Sequence, residues 1–169
     1  MVWHELSPWE FEERPMALPA KERLLLTARA GEKYNSMTVG WGGLGVMWGL
    51  PIAFYAIRPS RYTFELAEEG DRISLAAFPR DHARALSYLG THSGRDGEKY
   101  AAAGITPTKM PCGGIGFDEA RLVITGRRLF SHPIRAEELA RGDIRERWYK
   151  DEPYHTLYIA EIEHIYRKG

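Results

Sequence analysis

"YNSMTVGWGGLG" (residues 34–45) places Gly40, Gly42 and Gly45 in the order G-x-G-x-x-G. That spacing is the fingerprint of a dinucleotide-binding turn, but only where a strand precedes it and a helix begins inside it. Here "VMWGLP" follows Gly45, with Gly49 and Pro51 close behind. A helix long enough to cross between parallel strands cannot run through that segment. "PIAFYAI" (51–57) reads instead as a strand reached by a short connection. The glycines then let a barrel strand bend, let another backbone come close, or leave room for a flat ligand. Asn35, Ser36 and Thr38, just ahead of them, offer an amide and two hydroxyls. Such groups suit a ring that carries carbonyl oxygens and ring nitrogens.

The flanking sequence is read as further strands. "ERLLLTARA" (22–30), "RISLAAF" (72–78), "ARLVITGRRLF" (120–130) and "YHTLYIAEIEHIY" (154–166) are rich in apolar, β-branched or aromatic residues. Short helices are expected in "RPSRYTFELAEEG", ending at Gly70, and in "PRDHARALSYLG" (79–90), with Asp81 as N-cap and Gly90 as stop. A further one is expected in "GEKYAAAG" (97–104). Residues 1–20, with Pro8, Pro15 and Pro19, read as an irregular lead-in to a single domain spanning 1–169. Strands outnumber helices and do not alternate with them, which points to a closed or partly open antiparallel barrel.

The bulk composition narrows the function classes. Of 169 residues, 44% are hydrophobic and 27% charged, a profile that supports a packed core. Lysine plus arginine equals aspartate plus glutamate at 23 each, so the excess positive charge needed for non-specific nucleic-acid binding is missing. Balanced charge also leaves little repulsion between copies of the chain. Cys112 is the only cysteine, which excludes an intramolecular disulfide and points to a reducing compartment. The start, "MVWHELSPWEFEERPM", lacks the basic and apolar runs of a signal peptide, and no stretch reaches about 18 apolar residues. A cytoplasmic location, no membrane contact and no metal are expected, since neither H-x-H nor H-E-x-x-H spacing occurs.

Two further polar clusters and one histidine carry candidate chemistry. In "IRPSRYT" (57–63), Arg58 and Arg61 flank a turn with Ser60, Tyr62 and Thr63, so two guanidinium forks among hydroxyls suit a phosphate. In "GTHSGRDGEKY" (90–100), the Ser93–Gly94 pair can expose backbone N–H groups as an anion nest. Ser93 lies in no nucleophile elbow and His92 is its immediate neighbour, which argues against a hydrolase triad. His155 opens the last long strand.

Taken together, "YNSMTVGWGGLG", "YAIRPSRYT", "ALSYLGTHSGRDGEKYAAAGITP" and "YHTLYIAEIE" resemble the flavin reductase-like family of FMN-binding split barrels, flavoredoxin-like proteins included, from about residue 15 to 166. The resemblance implies a mainly β fold: a six-stranded antiparallel Greek-key split β-barrel with a few flanking helices, working as a homodimer. It implies that Asn35, Ser36, Met37 and Thr38 run along the isoalloxazine ring of FMN. Arg58, Ser60, Arg61 and Thr63 would surround the phosphate, and Ser93, Gly94 and Arg95 would close over the ligand. By the same resemblance, His155 lies near the nicotinamide of NADH or NADPH. Ala160 stands where relatives often carry glycine, a departure that leaves the packing of that strand open. Two functions follow: an NAD(P)H-dependent flavin reductase, or an electron carrier reduced by a partner protein. A barrel that has lost its cofactor and acts as a dimeric binding module is the third.

Overall fold

The computed structural model describes residues 2–169. In chain order the strands are β1 (Trp3–Leu6), β2 (Leu24–Ala30), β3 (Lys33–Val39), β4 (Gly42–Met47), β5 (Leu50–Ile57) and β6 (Arg72–Ala77). They continue with β7 (Pro107–Lys109), β8 (Ile115–Phe117), β9 (Leu122–Pro133) and β10 (Thr156–Lys168). The helices are α1 (Ala17–Ala20), α2 (Tyr62–Glu69), α3 (Ala83–Thr91), α4 (Tyr100–Ala103) and α5 (Gly142–Trp148).

One eight-stranded antiparallel sheet runs in the order β3-β2-β6-β9-β10-β5-β4, with β1 added alongside β10. Strand β10 makes this possible by its length. Its first half, Thr156–Glu161, pairs with β5, and its last turn of sheet, Ile165–Lys168, pairs with β1. The barrel is open, because β3 and β4 form the two ends of the strand order although they follow each other in the chain. The architecture is the mainly β, antiparallel, few-helix fold expected from the sequence. The main sheet holds two strands more than the six expected, because the glycine stretch divides into β3 and β4 and the lead-in supplies β1, and β7 and β8 pair as a separate two-stranded ribbon.

The opening glycines sit in this hairpin, and no helix follows them. Strand β4 turns into β5 through Trp48 and Gly49, whose φ values of 54° and 73° build a two-residue turn matched to the twist of the strands. Of the three fingerprint glycines only Gly42 is sterically required: a Cβ there would lie 2.3 Å from the Phe54 carbonyl oxygen. Gly45 faces open space.

Strand β2 explains why the sheet is two-sided. Leu24, Leu26 and Ala28 point into the barrel with Tyr55, Ile57, Leu75 and Ile124. Leu25 points the other way, into a second cluster with Leu86, Leu89, Tyr100, Phe117 and Val123. Period-two alternation therefore buries both faces. In the barrel, Tyr55 and Tyr158 stack at 5.4 Å, a pairing worth about 1 kcal/mol beyond area burial. Ala160 is fully buried opposite Ala53 and packs there as a small core side chain. Helix α3 departs from its expected limits. It starts after His82 without a side-chain cap and runs through Gly90 to Thr91. Gly90 is there for close approach: a Cβ would meet Thr38 Oγ1 at 2.3 Å.

Candidate functional site

The split between the ends of the sheet leaves the outer edge of β3 beside α2, α3 and the loop that follows α3. Strand β3 pairs only with β2. In an antiparallel ladder a residue's N–H and C=O point to one side, and the side alternates along the strand. Lys99 Nζ donates to the Ser36 carbonyl at 2.6 Å from the open side. The N–H and C=O of Thr38 consequently face that same open edge. A sheet edge of this kind is a row of donors and acceptors for a flat polar ring.

Two adjoining cavities follow this edge and share Met37 and Arg61. One, of about 120 Å³, is lined by Asn35, Ser60, Arg61, Thr63, Ser93, Arg95 and Lys99 among others. The second, of about 210 Å³, is lined by Thr38, Trp41, Arg58, Trp148 and His155 among others. The residues singled out from sequence on four separate segments therefore converge on one groove. Gly94 belongs to it by contact: a Cβ on Gly94 would lie 2.1 Å from Asn35 Oδ1, so the loop can seat against β3 only without a side chain.

The 120 Å³ end is basic. Arg61 sits just ahead of α2 and donates to the Gly90 carbonyl at 3.0 Å. Arg95 lies over the Tyr62 ring at 5.3 Å, pairs with Glu65 and reaches the Ser60 carbonyl at 3.4 Å. Ser93 Oγ accepts from the Arg95 N–H at 3.2 Å, which folds the loop back on itself. Lys99 is buried and donates to the carbonyls of Ser36, His92 and Leu89. Burial, with Arg61 adding a like charge, lowers its pKa to about 8. The lysine was not singled out from sequence, where it reads as one charge in a polar loop. Its burial follows from tertiary packing.

Four consecutive strand residues cannot all show side chains to one ligand, because successive side chains alternate faces. Asn35 Nδ2 donates to Thr63 Oγ1 at 2.8 Å, tying β3 to α2. Ser36 Oγ turns inward to Thr27 Oγ1 at 2.7 Å and Tyr100 OH at 3.0 Å. The Ser36 hydroxyl is thus a core group, and its backbone carbonyl, not its side chain, faces the groove edge. Met37 packs against the barrel core and Thr38 against Gly90.

The 210 Å³ end is aromatic. Trp41 meets Trp148 edge-on at 4.9 Å and the His155 ring at 4.5 Å. His155 lies just ahead of β10, is 9% exposed, and its Nδ1 shares a hydrogen bond with Tyr149 OH at 3.1 Å. Burial, with Arg58 and Arg61 nearby, lowers its pKa to about 4, so the imidazole is neutral at pH 7. Arg58 points to this end. Its guanidinium pairs with Glu152 at 3.0 Å and donates to the carbonyls of Pro153 and Trp148, each at 3.2 Å. The sequence reading missed α5, which delivers Trp148 and Tyr149. Its residues "GDIRERW" leave no side chain buried and its N-cap makes no side-chain hydrogen bond, so neither an apolar face nor a cap marks it.

The residues fit FMN chemically. A phosphate calls for charged and main-chain donors, which the Arg61, Arg95 and Ser93 end supplies. A flat heteroaromatic ring calls for a polar edge and apolar walls, which β3 and the tryptophans supply.

No family model matches the chain, and no curated protein matches it. Solved structures do. The FMN-binding domain of a flavin reductases-like enzyme from Shewanella baltica superposes with a TM-score of 0.71 at 12% identity, over 98% of this chain and 77% of that one. Flavoredoxin of Desulfovibrio vulgaris gives 0.68 at 20% identity, covering 94% and 75%. The NADH:FAD oxidoreductase of Streptomyces globisporus gives 0.65 at 10% identity, covering 87% and 75%. The chain has the fold of the flavin reductase-like split barrels.

Proposed function

We propose that the groove binds FMN and that the protein is an NAD(P)H-dependent flavin reductase. The observation that carries this reading is the convergence of a basic end and an aromatic end on the open edge of β3. Bound FMN would accept a hydride and pass electrons onward, and that chemistry belongs to the cofactor. The chain's own residues bind and orient. Arg61, Arg95, Ser60 and Ser93 hold the phosphate, and the main chain of β3 with Asn35 and Thr38 aligns the ring. Donors along that edge stabilise negative charge that develops there. Neutral His155 stands beside the ring end, where the nicotinamide of NADH or NADPH arrives. Hydride transfer needs no general base, and the carboxylates beside the groove, Glu65 and Glu152, pair with Arg95 and Arg58.

A second reading is favoured by one observation. Trp148 walls the ring end, a cavity of about 210 Å³, and a site walled in this way suits a flavoredoxin-like carrier that a partner protein reduces. Anaerobic titration of the FMN-loaded protein with NADH and with NADPH separates the two. Rapid bleaching of the flavin band by either nucleotide supports the reductase. Absence of bleaching by both contradicts it and leaves the carrier.

The working unit in this reading is a homodimer in the cytoplasm. Phe54 and Phe130 flank Ile159 in one row of the sheet and are 40% and 43% exposed, with Met47 and Trp48 exposed on the adjoining hairpin. Such a patch is covered by a second copy of the chain. Phe54→Glu with Phe130→Glu is expected to halve the mass measured by light scattering. An unchanged mass contradicts this face as the interface. No helix among the described residues is long and apolar enough to cross a membrane.

A further inference from the structure

The connection between β9 and β10 leaves the sheet at Pro133 and returns at Thr156. Its ends are drawn together by a hydrogen bond from the Ile134 N–H to the His155 carbonyl at 2.9 Å. The part that projects has no core of its own, since no residue of α5 is buried. Near β9 the connection is tied by Glu138 to His132 at 3.1 Å, and what attaches residues 142–153 to the barrel is a small set of contacts at the aromatic end of the groove. Trp148 rests edge-on against Trp41, and Tyr149 meets His155. Arg58 supplies the rest. Its guanidinium binds Glu152, the Pro153 carbonyl and the Trp148 carbonyl, and lies 5.8 Å over the Tyr149 ring. All four interactions go to residues 148–153. An isolated exposed ion pair would hold little. A planar fork that joins a carboxylate to two main-chain carbonyls is a different object, because several donors are fixed at once.

The two arginines of "IRPSR" therefore face different things. Arg61 lines the basic cavity as well as the aromatic one, whereas Arg58 lines only the aromatic cavity and has its donors engaged by the connection.

We propose that residues 142–153 form an aromatic clamp over the ring end of the groove, latched by Arg58, and that Arg58 is a positioning residue for the clamp and not a phosphate ligand. The proposal rests on the flavin reading of the groove. It assigns Trp148, braced edge-on against Trp41, the task of walling the ring end of the groove.

The test compares FMN with riboflavin, which has the same ring and no phosphate, by quenching of flavin fluorescence. Amide hydrogen exchange is followed over 142–153 in the same proteins. Arg58→Ala is expected to weaken both flavins by a similar factor, about five- to tenfold, and to speed exchange in the clamp. Glu152→Ala moves both readouts the same way by less. Arg58→Lys keeps the charge but loses the fork, and so behaves like the alanine variant; it also serves if the alanine variant folds poorly.

Selective loss of FMN with riboflavin unchanged in Arg58→Ala would overturn the proposal and return Arg58 to the phosphate. Unchanged exchange over 142–153 would overturn the latch. If the unaltered protein binds neither flavin, the reading of the groove falls and the proposal with it. Binding of both flavins with phosphate-selective loss in the variant removes the proposal alone.

Discussion

The two ends of the groove are built on different principles. The basic end is assembled from short-range pieces, the turn before α2 and the loop after α3, locked onto β3 by Asn35–Thr63 and by buried Lys99. The aromatic end depends on an exposed excursion between β9 and β10, attached by Arg58 and by the edge-on contact of Trp148 with Trp41. In the proposed reading the basic end selects by charge and the aromatic end by shape. Phosphate-dependent affinity should accordingly reside at the basic end, and turnover at the aromatic end.

The largest effect expected is at the basic end. Arg61→Ala with Arg95→Ala removes two charge-assisted contacts, about 3 kcal/mol together, so FMN affinity should fall about 100-fold. Riboflavin affinity should change less than about threefold; equal losses would break the division between the ends. Gly94→Ala comes next. Its Cβ would collide with Asn35 Oδ1 and push the loop from β3, which should weaken FMN about tenfold. Retained affinity would show that the loop does not seat as described.

His155→Gln probes the other end. Reduction of the FMN-loaded protein by NAD(P)H should slow about fivefold, roughly 1 kcal/mol in the barrier, with flavin affinity nearly intact. An unchanged rate in stopped-flow measurements removes His155 from the site.

The smallest effects are in pH. Lys99 loses its proton in the folded protein near 8, against 10.5 for a free lysine. As pH rises through about 8 its ammonium no longer grips the three carbonyls, and FMN affinity should fall about threefold. Lys99→Arg should flatten that profile. Across the same window the unfolded chain still holds this proton, so the contribution of Lys99 to global stability rises with pH even as affinity falls. His155 acts lower. Its pKa of about 4, against 6.5 when free, means that stability falls as pH drops from 6.5 toward 4.

How far this was legible in the sequence depends on what each residue had to signal. Strands β2, β5, β6, β9 and β10 announce themselves through apolar and β-branched runs, because each buries a long stretch of its length in the core. Strand β1 does not. It is four residues long and exists by pairing with the far end of β10. Pro-containing and Gly-containing turns mark the polar clusters, and the structure brings those clusters together. The inward rotation of Ser36, the burial of Lys99 and the engagement of Arg58 by the connection are tertiary outcomes. A string of residues shows which groups are present, and the ladder register decides which of them face the groove.

The central claim is that this groove recognises flavin through its phosphate and its ring. Titration of the purified protein with FMN, beside riboflavin, at a fixed ionic strength tests it most directly. The account predicts saturable binding at micromolar FMN with one flavin per chain, and weaker binding of riboflavin. Failure of FMN to bind at micromolar levels would contradict it.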